Sequence, residues 1–186
     1  MSAGAETWLV RPEREQEEAP EAMLDALGLL PGQTVADVGA GVGYHALRLS
    51  RRVGPSGRVY ATDIQLEMLT RLEQNVRQAG LTNVIAVHTT EDQTGLPAQA
   101  IDLVLMVDVF HELARPEAFL AALKPALKPG GRVALVEFRA NDPAVPIKPE
   151  HAMTVEQVDK ELGAAGYHRV GRFEGLPWQH LLLYAL

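Results

Sequence analysis

The residues best suited to holding a charged small molecule fall in Val35-Ala36-Asp37-Val38-Gly39-Ala40-Gly41-Val42-Gly43, where an apolar run ends in an acid and alternating glycines. Glycines at a strand-to-helix turn leave the main chain bare, so a ligand can lie against it. Asp63 closes a second apolar run, about 20 residues beyond the glycines, where an acid can hold sugar hydroxyls. In Asp108-Val109-Phe110-His111-Glu112, His111 is a candidate general base and Glu112 a residue to orient it. A dinucleotide fingerprint would need its third glycine where Tyr44 stands, and no lysine followed by Ser or Thr completes a phosphate loop. Both phosphate-binding readings lose support together.

Composition narrows the partners. The formal charge is -7 and the isoelectric point about 5.4, so a nucleic-acid backbone would be repelled and a small-molecule partner is favoured. Arg51 and Arg52 read as the basic end of a helix rather than a phosphate patch. The absence of cysteine excludes disulfides, Cys-ligated zinc, iron–sulfur clusters and a thiolate nucleophile. No apolar run approaches the ~20 residues of a membrane span, and the acidic start of the chain lacks the pattern of a signal peptide. A cytoplasmic protein without membrane or nucleic-acid partners is expected; oligomeric state is not legible.

The elements that must position these residues alternate strand and helix. The apolar runs after Thr34, Val59, Val84, Ile101 and Val133 read as strands apolar on both faces, as a buried parallel sheet requires. Helical spacing follows over Tyr44 to Val53, Gln65 to Ala79 and near Pro116 to Leu127, and an amphipathic segment runs from Glu17 to Leu27. Lys128-Pro129-Gly130-Gly131 reads as a turn. Thr154 with Gln157 forms a capping-box pattern for a helix reaching about Ala165. Tyr167 to Phe173 and Gln179 to Tyr184 make an antiparallel hairpin.

Taken in order, Val35 to Gly43, Val59 to Asp63, Leu96-Pro97 with Ile101 to Val107, and Leu127 to Gly131 resemble the successive motifs of class I S-adenosylmethionine-dependent methyltransferases. Ile147-Lys148-Pro149 and Pro177-Trp178-Gln179-His180 are similar to segments of small uncharacterised bacterial members. The resemblance implies one α/β domain over 1–186: a three-layer α/β/α sandwich with a mostly parallel seven-stranded sheet, an antiparallel C-terminal hairpin, and 1–16 as a flexible or lid-forming segment. It implies S-adenosyl-L-methionine as cofactor and S-adenosyl-L-homocysteine as product, held by Asp37, Gly39, Ala40, Gly41, Gly43, Asp63, Ile64, Glu91, Asp92 and Asp108. Asp63 would bind the ribose, Ile64 would pack on adenine, and Asp92 is preferred over Glu91 for the exocyclic amine.

The acceptor should lie beyond the fourth and fifth strands, near His111. Glu137, Arg139, Lys148 and His151 could wall or cover it, with the proline-rich stretch from Arg139 to Ala152 as a long loop. Transfer from an activated sulfonium needs mainly positioning, so no metal is expected; Asp108 with Asn141 or Asp142 is too thin a basis for one. The rival to a catalytic enzyme is a cofactor-binding regulatory or partner-dependent module.

Overall fold

The computed structural model describes residues 12–140 and 142–186. The first eleven residues, and Asn141 of the weighed metal site, lie outside them. Helix α1 (Arg14–Glu18) and helix α2 (Pro20–Leu27) precede strand β1 (Thr34–Val38). The single helix expected over Glu17 to Leu27 is split, because Ala19 takes a left-handed φ of 47° ahead of Pro20. Proline's ring disfavours α geometry in the residue before it but suits the first helical position.

Helix α3 (Tyr44–Val53), β2 (Arg58–Asp63), α4 (Leu66–Gln78), β3 (Val84–His88), β4 (Ile101–Val107), α5 (Pro116–Leu123) and β5 (Leu127–Arg139) follow. Then come β6 (Ala152–Met153), α6 (Val155–Ala164), β7 (His168–Phe173) and β8 (Gln179–Ala185). Among the described residues these form one eight-stranded sheet in the order β3-β2-β1-β4-β5-β8-β7, with the two-residue β6 beside β5. Only β8 pairs antiparallel, with β5 and β7. The fold is the three-layer sandwich the motifs imply, with one short strand more.

Side chains alternate across the sheet and build a core on each face. Val35, Val59, Leu103 and Leu105 meet α2, α3 and α4 through Leu24, Leu27, Leu49 and Leu72. Ala36, Val38, Val104 and Met106 meet α5 and α6 through Phe119, Leu120, Val158 and Leu162. The expected turn at Lys128 to Gly131 lies inside β5, where the β4 register slips between Ile101 and Leu103. Gly131 permits this, since a Cβ there would sit 2.9 Å from the Ile101 and Lys128 carbonyl oxygens. Thr154 caps α6 as its spacing predicts, its hydroxyl accepting from the Gln157 N–H at 3.1 Å.

Candidate cofactor and acceptor site

β1 pairs with β2 on one side and β4 on the other, so the chain reverses its direction of travel across the sheet between β1 and β4. Crevices open at that switch point, outside the carboxyl ends of the strands. A cleft of about 570 Å³ lies there, within the roughly 300–1,000 Å³ of small-molecule sites.

The glycine turn forms its floor. Gly39 and Gly41 have φ of 69° and 53°, and a Cβ on Gly39 would come within 2.5 Å of Val109 Cγ2. Ala40 is tied down by its N–H to the Thr62 carbonyl at 2.9 Å. Gly43 does not line the cleft: its φ of 94° starts α3, and a Cβ would collide with Leu47 Cδ1 at 2.8 Å. A glycine here serves the start and packing of α3.

Asp37, at the edge of this turn, is buried, and its Oδ2 has no hydrogen-bond partner. Burial pushes its carboxyl up to about 7, against the pull of the Arg14 charge and the Ala46 backbone bond. Asp63 ends β2 with each oxygen held by a main-chain donor, Oδ2 by Gly41 N–H at 2.9 Å and Oδ1 by Gln65 N–H at 2.8 Å. A carboxylate so fixed keeps free lone pairs for hydroxyl donors. Ile64 beside it is 54% exposed and lines the cleft, as does Glu91. Asp92 does not; it pairs with Arg115, which leaves Glu91 as the one of the two acids that lines the cleft.

At the other end, the 3-10 turn Phe110–Glu112 carries His111 into the cleft. The carboxylate that orients it is Glu137, not Glu112: Oε2 lies 2.7 Å from His111 Nδ1, and Oε1 accepts from Phe110 N–H at 2.8 Å. Glu137 reaches across from β5, parallel neighbour of β4, whereas Glu112 is exposed. Burial lowers the His111 pKa, but the hydrogen bond and charge of Glu137, with the charge of Glu112, outweigh it and the value is raised. His151 Nδ1 stands 3.2 Å from His111 Nε2.

Asp108 lines the cleft between the two ends in a left-handed φ of 53°, both oxygens reached by Gln179 Nε2 at 2.7 and 3.0 Å. Burial first, then the charges of Glu137 and Glu18, push its carboxyl well above the carboxylate range. Lys148 and His151 also line the cleft. Arg139 does not: its guanidinium caps the Glu174, Leu176 and Pro177 carbonyls of the hairpin turn.

Arg14, His45 and Gln179 were not singled out in the sequence as site residues. Arg14 packs 4.1 Å over the Tyr44 ring, pairs with Glu18 at 2.6 Å and lies 3.4 Å from His45 Nε2. Arg14, Tyr44 and His45 all line the cleft. Burial, then the charges of Arg14 and Arg48, hold His45 well below its ordinary pKa, so the ring is neutral. The readable signal was the i, i+4 pairing of Arg14 with Glu18 in an otherwise acidic stretch.

A family model described as a methyltransferase domain matches residues 35–131. The ubiquinone/menaquinone biosynthesis C-methyltransferase UbiE of Cupriavidus taiwanensis is 32% identical over 111 residues, 60% of this chain and 45% of its own length. That of Escherichia fergusonii is 29% identical over 154 residues, 82% of this chain and 57% of its own. The chain thus spans about half the length of these curated relatives. A SAM-dependent methyltransferase from Aquifex aeolicus superposes with a TM-score of 0.92 at 31% identity, covering 99% of this chain and 98% of that one. Haemonchus contortus phosphoethanolamine N-methyltransferase 2, solved with S-adenosyl-L-methionine, shares the fold at TM-score 0.68 and 18% identity over 80% of this chain and 36% of its own. Motif order, sheet order and relatives agree, and the chain belongs to the class I S-adenosylmethionine-dependent methyltransferases, a family whose cofactor is S-adenosyl-L-methionine.

Proposed function

We propose that this chain transfers a methyl group from S-adenosylmethionine to a small-molecule acceptor held against His111. One observation carries the reading: a single cleft joins the orphaned Asp37 oxygen and the fixed Asp63 carboxylate to the His111–Glu137 pair. When bound, the cofactor supplies a methyl group on a positively charged sulfur.

The residues fit its parts. Asp37 Oδ2 is a buried acceptor lacking a donor, which the cofactor's ammonium group supplies. Arg14 donates toward His45 Nε2, so His45 carries its proton on Nδ1, an atom buried without a partner. Arg14 and His45 Nδ1–H together suit the amino-acid carboxylate. Asp63 grips the ribose hydroxyls, Ile64 covers the adenine, and Glu91 accepts from its amine. Asp108, clamped by Gln179, separates cofactor from acceptor rather than binding as a free carboxylate.

Glu137 accepts the Nδ1 proton of His111, leaving the Nε2 lone pair at the acceptor end beside His151 Nδ1; it takes the acceptor's proton as methyl transfer proceeds, once the His151 ring moves aside. Val109, Leu113, Phe119 and Phe138 give that end apolar walls that keep water from the reacting atoms. We read residues 1–186 as one domain, because both cores are built on the same strands. Among the described residues no helix is long and apolar enough to cross a membrane.

The test is calorimetry with S-adenosylhomocysteine, followed by methyl transfer from labelled cofactor into pools of small hydroxyl, amine and activated-carbon compounds. Binding without NAD competition is expected. For whichever acceptor is labelled, His111→Ala should lower turnover by about 10²–10⁴-fold and leave product affinity unchanged. Failure of S-adenosylhomocysteine to bind at high micromolar concentration overturns the reading.

A further inference from the structure

We propose that His111, His151 and Glu112 form a divalent transition-metal site at the acceptor end of the cleft, with its open positions facing the acceptor. The site takes its location from the proposed function, but its existence does not depend on methyl transfer.

Three observations support it. Nε2 of His111 and Nδ1 of His151 are 3.2 Å apart, close to the ~3.3 Å that two imidazole nitrogens span around a tetrahedral metal with ~2.05 Å bonds. The Glu112 carboxylate completes a set whose ligand atoms all lie within 4.8 Å of one another; being exposed, it can swing the remaining distance at little cost. The third is the support behind the ligand. Buried Glu137 holds His111 Nδ1 at 2.7 Å and is itself pinned by Phe110 N–H, the carboxylate–histidine arrangement that fixes the tautomer of a metal-binding imidazole. Glu112 and Glu137 also place two negative charges against a dication.

Two imidazoles with one carboxylate select zinc, cobalt, nickel or ferrous iron over magnesium and calcium, which prefer all-oxygen sites. Three protein ligands leave at least one position open in a cleft whose lining includes Val109, Leu113 and Phe138. That vacancy defines the acceptor as a compound with an oxygen donor on an apolar body, such as a phenol or enol. Its hydroxyl loses a proton to water on binding. The anion then attacks the methyl carbon, whose bond to sulfur breaks with the electron pair left on sulfur. In this form His111 is a ligand and no longer takes the acceptor's proton itself.

The experiment is Co²⁺ titration of chelator-treated full-length protein, read by visible ligand-field absorption and calorimetry, with Zn²⁺ as competitor. One equivalent is expected to give tetrahedral-type bands that Zn²⁺ abolishes. His151→Ala, at the rim, should remove the bands while S-adenosylhomocysteine affinity stays as in the parent protein. Glu137→Gln should weaken the metal by about 10–100-fold. No binding at tens of micromolar, or binding that His151→Ala leaves intact, overturns the site and leaves two histidines sharing a proton. Product binding without Co²⁺ binding sinks the metal alone; Co²⁺ binding without product binding sinks the methyltransferase reading and leaves the site standing.

Discussion

At Asp37 a buried acid and the chemistry of its ligand meet in one side chain. Its carboxyl titrates near 7 in the fold against an ordinary 3.8, so the folded state holds the proton more tightly than the unfolded chain. This contribution is complete below about pH 4 and is withdrawn as pH rises to about 7, a change on the order of 4 kcal/mol. Thermal melts of the apo protein should show that downward slope between about pH 4 and 7, levelling above it, and Asp37→Asn should flatten it. Binding has the opposite sign, since only the ionised acid pairs with the ligand's ammonium. S-adenosylhomocysteine affinity should fall by up to about tenfold per pH unit below 7. Asp37→Asn should cost about 10–100-fold in affinity at pH 8 and erase the dependence, as charge-assisted hydrogen bonds of ~1.5–3 kcal/mol imply. A parent-like pH profile in the variant would assign the slope to another group.

Among the elements, the β1-to-α3 turn links fold and site most tightly. Gly39 has a left-handed φ, and a Cβ there would enter Val109 on the connection after β4. Gly39→Ala should therefore destabilise by about 1–3 kcal/mol, read as a lower denaturation midpoint, and weaken the product by displacing the cleft floor. An unchanged midpoint would show that Val109 yields freely. This turn was legible in the sequence because glycine type, spacing and flanking apolar runs are local signals. So were the buried parallel strands β1, β2, β4 and β5, and the Thr154 cap; β3, read the same way from its apolar residues, is an edge strand with none of them buried. The less legible features depend on register and loop path. Which of Glu91 and Asp92 lines the cleft depends on the path of the loop after β3, where the other acid pairs with Arg115 at the surface. Glu137 orients His111 because β4 and β5 lie side by side, a relation that adjacency in sequence misattributes to Glu112. Arg14 was hidden in an acidic segment whose helix breaks at Ala19.

For the molecule as a whole, the proposed cofactor is held by α1, α3 and the segments that follow β1, β2 and β3. A ligand that binds only the folded chain stabilises it by about 2.7 kcal/mol at one hundred times its Kd. For a chain of this size that corresponds to a rise in Tm of roughly 5–11 °C. Saturating S-adenosylhomocysteine should raise the midpoint by that amount in one cooperative transition. Two transitions, only one of them shifted, would argue against a single domain.

Arg14, on α1, lines the pocket directly, while Gln179, on β8, holds Asp108 in it from behind. The pocket thus depends on residues 165 positions apart. A nascent chain emerging from the ribosome has its glycine turn early, but the clamp on Asp108 only when β8 has docked against β5. Partly synthesised or clipped chains lacking that strand therefore keep the glycine turn without that clamp.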